Sequence, residues 1–172
     1  KVLEKGVEVH RADFGRIAAQ TAKQVIMQKL REAEREAIFA DFSKSSGEII
    51  TGLVHAVDRK AIIVDLGKAE AILPIREQVP RDHYKQGNTI RAYVLEVKPG
   101  GRGPEIILSR VHPNFLSKLF ELEIPEIREG IVIVKAVARE PGSRSKIAVA
   151  STDEKVDCVG SCVGMRGQRV KN

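Results

Sequence analysis

Four residues near the C-terminus, Gly164-Met165-Arg166-Gly167, have the types and the spacing to hold a phosphate group. Two glycines that flank two residues form a tight turn with little side-chain bulk, so a phosphodiester backbone can approach closely. The amides at the start of a following helix point toward such an anion, and the helix dipole favours it there. Arg166 and the nearby Arg169 add positive charge. The pattern therefore indicates binding of a phosphate backbone.

The elements that must position this loop lie in residues 113–172. "HPNFLSKLFELEIPEI" has apolar residues at helical spacing, and "GIVIVKAVARE" and "SKIAVAS" are two strands with "PGSR" as the turn between them. A helix follows, and Ser151 and Glu154 have the spacing of a capping box at its start. The predicted order is helix, strand, strand, helix, glycine loop and the beginning of a further helix.

The glycine loop has a plainer explanation, a corner between two helices in which both glycines serve only as caps. The order of elements around the loop nevertheless resembles a type II KH domain, whose G-x-x-G loop clamps about four nucleotides of single-stranded RNA. That domain needs a complete helix and a third strand after the loop, and here only "QRVKN" follows. We therefore expect a KH domain that is truncated after its loop. The RNA-binding residues that this resemblance implies are Gly164, Met165, Arg166, Gly167 and Arg169.

Residues 48–112 change from helical to extended periodicity. Five short segments rich in Ile and Val, each bounded by turn residues, predict a small five-stranded barrel. "TGLV", "IIVDLG", "AILP", "YKQGNTIRAYV" and "IILSR" resemble, in this order and spacing, an S1 domain of the OB-fold class.

S1 domains often stack bases on aromatic residues of the second and third strands. This sequence has Ile63 and Ile72 at the matching positions, so electrostatic contacts remain as the expected means of binding. Each candidate could equally be an ordinary solvated side chain, and Tyr93 qualifies only if its ring faces outward. The candidates in the barrel are Arg59, Lys60, Arg91, Tyr93 and Arg102.

One long helix is predicted over residues 13–42, where apolar or small residues recur close to a 3.6-residue period. Asp13 is suited to the N-cap, and "SKSSG" ends the helix. Such a helix cannot bury its apolar stripe against the short segment before it. It must pack on the barrel, on chain that precedes this sequence, or on a partner.

The order of long helix, S1 and KH narrows the resemblance to one family. "RADFGRIAAQTAKQVIMQKLREAER", "ILSRVHPNFLSKLFELEIPEI", "GIVIVKAVAREPGSRSKIAV" and "VGSCVGMRGQRV" resemble the NusA family of bacterial transcription factors. The resemblance implies that residues 1–47 end a domain that docks on RNA polymerase. In that family the S1 domain and two KH domains form a continuous surface for the emerging transcript. It implies a factor that modulates pausing, termination and antitermination.

The sequence departs from the family pattern at Cys158, where the family usually has proline. It also lacks a second KH domain and the start of the N-terminal domain, so we expect a fragment of a longer protein.

Composition adds limits. The formal net charge of +6 is spread along the chain, so charge alone does not establish a nucleic-acid partner. Aromatic residues make up only 4% and Trp is absent, so the cores must be aliphatic. No apolar run approaches the length of a membrane span. Cys158 and Cys162, four residues apart, are too few for a structural zinc site and fit buried thiols in a reducing compartment.

Nothing in the sequence favours a catalyst, because the four histidines are scattered and no nucleophile and base or paired carboxylates have a catalytic spacing. We expect a multidomain α+β protein that is a monomeric, cytoplasmic RNA-binding factor without cofactor or metal. Its expected partners are single-stranded RNA and RNA polymerase, and no membrane. Two alternatives stay open: an S1–KH subunit of an RNA-degradation complex, against which the order S1 before KH argues, and a ribosome-associated protein.

Overall fold

The computed structural model describes residues 2–4, 7–9, 15–101 and 103–171. Backbone contacts divide the chain into two compact units, Lys1–Ala37 and Ile38–Asn172, and each is described by itself. The predicted N-cap Asp13 and the candidate Arg102 lie outside the described residues.

The first unit contains two short strands and most of one long helix. Strand β1 (Val2–Glu4) pairs antiparallel with β2 (Val7–Val9). Helix α1 (Arg16–Ser43) has 28 residues, which confirms the predicted long helix, and it ends in the second unit. None of its side chains is fully buried. The exposed apolar ones on this helix are Ile17, Val25, Ile26, Met27 and Leu30.

The second unit begins with a closed five-stranded barrel. Its strands are β3 (Ile49–Val57), β4 (Ala61–Asp65), β5 (Glu70–Pro74), β6 (Thr89–Lys98) and β7 (Glu105–Ser109). They close in the order β3-β4-β5-β7-β6, in which only the β5–β7 pair is parallel. This is the predicted five-stranded S1-type barrel.

The barrel interior is aliphatic, as the absence of Trp requires. Alternate residues along the strands point inward, and nine of them form one cluster in which none is more than 1% exposed. Phe42, near the end of α1, packs against this cluster from outside. The nine are Val54, Ile62, Val64, Ala71, Leu73, Ala92, Val94, Ile106 and Leu108.

A KH-type region follows the barrel. Its elements are α2 (Pro113–Glu123), α3 (Pro125–Arg128), β8 (Val132–Glu140), β9 (Arg144–Ser151), α4 (Cys158–Val163) and α5 (Gln168–Lys171). Strands β8 and β9 form an antiparallel hairpin over a small core of Ile124, Val132 and Cys162. Burial raises the pKa of the Cys162 thiol, which agrees with the prediction of a core cysteine.

The capping box predicted at the start of the helix after β9, which is α4, is wrong. Ser151 is the last residue of β9, paired opposite Val132, and its hydroxyl donates to the Asp153 carbonyl. The helix begins later, at Cys158, where the Asp157 carboxylate accepts from the amides of Val159 at 3.1 Å and Gly160 at 3.0 Å. Asp157 is therefore the cap, because its oxygen satisfies two free amides of the first turn.

Barrel and KH-type region meet around the buried ring of Phe115 in α2. The guanidinium carbons of Arg110 and Arg139 lie 5.5 and 5.2 Å from the ring centroid, within cation–π range. Arg110 also donates to Asp82 at 2.9 Å and to the Arg91 carbonyl at 2.6 Å. Burial first, and then the charge of Arg110, lower the pKa of Arg139. The two arginines thus tie the barrel to the first helix and the hairpin that follow it.

Candidate nucleic-acid interface

The glycine loop joins the end of α4 to the start of α5. Gly164 has φ 71°, Gly167 has φ 73°, and the Gly167 amide donates to the Gly164 carbonyl at 3.0 Å. The four residues thus form a single tight turn. Its position between two helices is the one that the sequence predicts.

Two side chains project from this turn into solvent. Met165 is 87% exposed and Arg166 is also exposed. Arg166 has φ 57°, a left-handed conformation that costs an L-residue about 1–2 kcal/mol. Among the residues that the structure describes, its guanidinium has no ion-pair partner, so its charge is available to an anion.

Helix α4 adds an apolar surface beside the loop. Cys158 and Cys162 face the core, while Val159 and Val163 are 60% and 41% exposed. Both pairs have the i,i+4 spacing of one helix face. The sequence analysis missed these two valines because it assigned only the cysteine face. Once Cys158 and Cys162 are placed inward, the spacing alone puts the valines outward.

Arg169 differs from Arg166 although both flank the second glycine. Its Nη1 lies 2.9 and 3.1 Å from the two carboxylate oxygens of Glu126 and donates to the Ser161 carbonyl at 2.7 Å. About a third of its side chain is exposed. The structure therefore brings Arg169 to the loop but directs its charge to neighbours in the protein.

A second basic group lies at one end of the barrel. Arg59 and Lys60 occupy the β3–β4 turn and are exposed. The Ile75 amide donates to the Lys60 carbonyl at 3.1 Å, which places Arg76 on the same end. Within the described part of the chain, none of these three cations has an ion-pair partner. The sequence analysis missed Arg76 because the 3-10 turn that contains it, Ile75–Glu77, has no recognisable sequence pattern.

The neighbouring face of the barrel is aliphatic where S1 domains often carry rings. Ile63 on β4 pairs with Ile72 on β5, and Ile72 pairs with Ile107 on β7, so the three isoleucines form a row across the sheet. All three are half-buried and face outward. The absence of aromatic residues at positions 63 and 72 leaves this row without a stacking surface.

The remaining barrel candidates lie elsewhere. Arg91 is exposed on β6, and its Nη1 is 3.3 Å from Glu123 of α2. Tyr93 is 8% exposed and stacks on His112, with ring centroids 4.9 Å apart and planes 3° from parallel. Its ring does not face outward, which was the condition for a stacking role. The structure therefore brings Arg59 and Lys60 together but separates Arg91 and Tyr93 from them.

Metal sites and membrane-spanning helices were also considered for the described residues. No grouping there of three or more His, Cys, Asp or Glu side chains could hold a metal ion. No helix among them is both long enough and apolar enough to span a bilayer.

Comparison with known proteins matches the chain to three family models in succession. They are the NusA N-terminal domain over residues 1–36, the S1 RNA binding domain over 43–110 and the NusA-like first KH domain over 110–172. An OB-type barrel followed by a KH-type region with a G-x-x-G loop defines the structural class. The chain belongs to the NusA family.

Two similar proteins are named transcription termination/antitermination protein NusA, one from Halalkalibacterium halodurans and one from Bacillus subtilis. Each is 53% identical over 165 residues, or 96% of this chain. The chain spans 43% and 44% of their lengths, less than half of either. Among solved structures, the intact alpha subunit of aIF2 from Pyrococcus abyssi matches 50% of this chain and 37% of that chain, at 25% identity. Its TM-score is 0.32, and that likeness carries no argument.

Proposed function

We propose that this chain binds nascent single-stranded RNA and RNA polymerase and so modulates transcriptional pausing, termination and antitermination. Membership of the NusA family supports the proposal, as does the printed name of relatives that are 53% identical. The same name argues against the alternative of a subunit of an RNA-degradation complex. The protein acts as a cytoplasmic monomer, without cofactor and without catalysing a reaction.

The observation that carries the RNA proposal is the exposed Arg166, which has no ion-pair partner among the described residues. It lies at the tip of a turn that glycines keep free of side-chain bulk. Strained residues of this kind cluster at ligand sites, where the surrounding fold holds them in place. Arg166 contacts one phosphate of the RNA, and the loop amides contact the adjacent phosphate. Val159 and Val163 supply an apolar surface on which bases rest.

The barrel contributes a weaker, electrostatic contact. Arg59, Lys60 and Arg76 lie at one end of it with their charges unpaired within the described residues. Without rings on the neighbouring isoleucine row, this end attracts the phosphate backbone and does not select bases. Arg91 contributes less because Glu123 offsets its charge, and the buried Tyr93 is not part of this contact. Arg102 remains a prediction from the sequence.

Polymerase binding is assigned to residues 1–47. The exposed apolar side chains of α1 support this, because Ile17 and Ile26 are 81% and 65% exposed. Burying such residues against a partner removes apolar surface from water, worth about 25 cal/mol per Å².

The RNA proposal is tested by changing Met165 and Arg166 together to Asp. Two anions then face the RNA backbone, and we expect affinity for single-stranded RNA to fall roughly tenfold or more, measured by fluorescence anisotropy. Both side chains are exposed, so the free energy of unfolding should change by less than about 0.5 kcal/mol. The matched control is Ser143→Asp with Arg144→Asp, which makes the same charge change at the exposed tip of the β8–β9 hairpin.

A folded loop variant that binds RNA like the parent would show that the glycines form only a corner between helices. An equal loss in the control would show that net charge, and not the loop, governs binding.

The polymerase proposal is tested by removing residues 1–37 and measuring co-purification with RNA polymerase. The cut spares Phe42, which packs on the barrel core, so the barrel stays folded. We expect polymerase binding to be lost and RNA affinity to be kept. Recovery of a degradation complex or of a ribosomal subunit with the intact chain would instead favour one of the alternatives.

A further inference from the structure

Arg169 is held by three contacts that converge on one nitrogen. Nη1 lies 2.9 and 3.1 Å from the two oxygens of Glu126 and 2.7 Å from the Ser161 carbonyl oxygen. The two side chains are 33% and 27% exposed, so the pair is shielded from solvent over most of its surface. Hydrogen bonds between charged groups in such settings are stronger than those between neutral groups.

These contacts connect the two sides of the glycine loop. Ser161 precedes the loop in α4, Arg169 follows it in α5, and Glu126 belongs to α3. A single side chain therefore fixes the distance between the helix that enters the loop and the helix that leaves it. It also anchors both of them to a third helix.

The first glycine of the loop makes room for this side chain. A Cβ added at Gly164 would lie 2.8 Å from Cγ, 3.0 Å from Cδ and 3.1 Å from Cβ of Arg169. A Cβ added at Gly167 would have no atom of the described residues within 4 Å. The two glycines thus have different roles. Gly164 lets the stem of Arg169 cross the loop, whereas the space beside Gly167 is open to a ligand and its φ of 73° suits a glycine.

We infer that Arg169 is a positioning residue: it holds the loop in shape through Glu126 and Ser161, while Arg166 makes the phosphate contact. This inference rests on the proposed function, because it presupposes that the loop binds RNA. It replaces the sequence-based expectation that both arginines touch the backbone.

The opposite charges of the Arg169–Glu126 pair give a test in which the two roles predict opposite signs. If Arg169 contacts phosphate, Glu126→Gln frees it and raises RNA affinity. If Arg169 positions the loop, Glu126→Gln loosens the loop and lowers affinity. We expect a fall of roughly tenfold, comparable to the loss of one charge-assisted hydrogen bond. Glu140→Gln is the matched control, since Glu140 pairs only loosely with Arg144, at 3.7 Å on the exposed hairpin.

The salt dependence of binding separates the two arginines. Each phosphate contact contributes about −0.7 to the slope of log affinity against log salt for a single strand. Arg166→Gln should make that slope less steep by about 0.7, the contribution of one phosphate contact. Arg169→Gln should leave it unchanged while lowering affinity by the same factor as Glu126→Gln. The double variant Glu126→Gln with Arg169→Gln should be no weaker than either single variant, because both remove the same interaction.

A general loss of stability is distinguished by amide hydrogen exchange of residues 164–168 together with urea unfolding. We expect faster exchange in the loop and an unchanged unfolding midpoint, with partial recovery of affinity in Arg169→Lys. Higher affinity in Glu126→Gln, or a reduced salt slope in Arg169→Gln, would overturn the positioning role and leave the proposed function intact. A parent chain that does not bind RNA would overturn the proposed function itself, before any variant is compared.

Discussion

The barrel and the KH-type region are built from the same aliphatic residue types but bury them to different extents. The barrel encloses nine residues that are at most 1% exposed, whereas the KH-type region buries Ile124, Val132 and Cys162 at 2%, 1% and 7%. A closed sheet has no free edge and can fill its interior from all sides, while a two-stranded hairpin under short helices cannot. The loop region therefore depends more on polar ties, such as Arg169 to Glu126, than the barrel does.

The largest expected effect comes from replacing a buried isoleucine with alanine in each of the two cores. Ile62→Ala in the barrel and Ile124→Ala in the KH-type region both remove a fully buried isoleucine. We expect costs of about 4 and about 2 kcal/mol, the two ends of the usual range, because the thin core can collapse into the cavity more easily.

Urea unfolding followed by tyrosine absorbance reports the barrel side, since Tyr84 and Tyr93 both lie there. Hydrogen exchange reports the hairpin. Equal costs for the two substitutions would mean that the two cores are equally well packed, which would contradict the difference described above.

The next effect is at the junction. Phe115→Ala removes the ring that lies between Arg110 and Arg139, and we expect a loss of about 3 kcal/mol. Phe115→Leu keeps most of the apolar volume but loses the ring face, so it should cost about 1 kcal/mol, as expected for cation–π contacts. Unfolding in two separate steps in Phe115→Ala, against one step in the parent, would show that this ring couples the two regions. If Phe115→Leu cost as much as Phe115→Ala, the ring face itself would carry the junction.

Much of this architecture could be predicted from the sequence. The barrel strands are short segments rich in Ile and Val between clear turn residues, so their presence and approximate bounds follow from local pattern. The long helix and the position of the glycine loop follow in the same way. These features depend on neighbours in sequence, which is why the pattern carries them.

What could not be predicted depends on contacts between distant residues. Residue type does not distinguish Arg166 from Arg169, because only the fold brings Glu126 to one of them. The ring of Tyr93 is buried and stacks on His112, the residue that precedes α2. Ser151 could not cap a helix because its pairing with Val132 extends β9 through it. In each case a tertiary partner outweighs the local preference.

A smaller effect tests how closely the hairpin turn lies against the barrel. Gly142 has φ 77°, and a Cβ there would lie 2.7 Å from Cγ1 of Val79, which is 5% exposed. Gly87 has φ 85°, and a Cβ there would meet no atom of the described residues within 4 Å, so it is the control for backbone strain alone. We expect Gly87→Ala to cost about 1 kcal/mol and Gly142→Ala about 2 kcal/mol by urea unfolding. Identical costs would mean that Val79 moves aside freely and that the turn does not press on the barrel.

The smallest effect is a pH dependence at the barrel side of the junction. Burial is the main cause that raises the pKa of Tyr84, whose hydroxyl accepts from the Val79 amide and donates to Asp82, both at 3.2 Å. A raised pKa means that the folded state favours the protonated phenol. The stabilisation is therefore complete below the unfolded pKa of about 10 and is lost as pH rises through the higher folded value.

We expect the free energy of unfolding in urea to fall by less than about 1 kcal/mol above pH ~10. Ultraviolet absorbance should show that the Tyr84 phenol ionises at a higher pH than a tyrosine in the unfolded chain. In Tyr84→Phe this part of the pH dependence should vanish, while the contribution of the lysines remains in both proteins. The same decline with pH in both would mean that Tyr84 ionises in the folded state as easily as in the unfolded chain, and that the junction does not bury its hydroxyl.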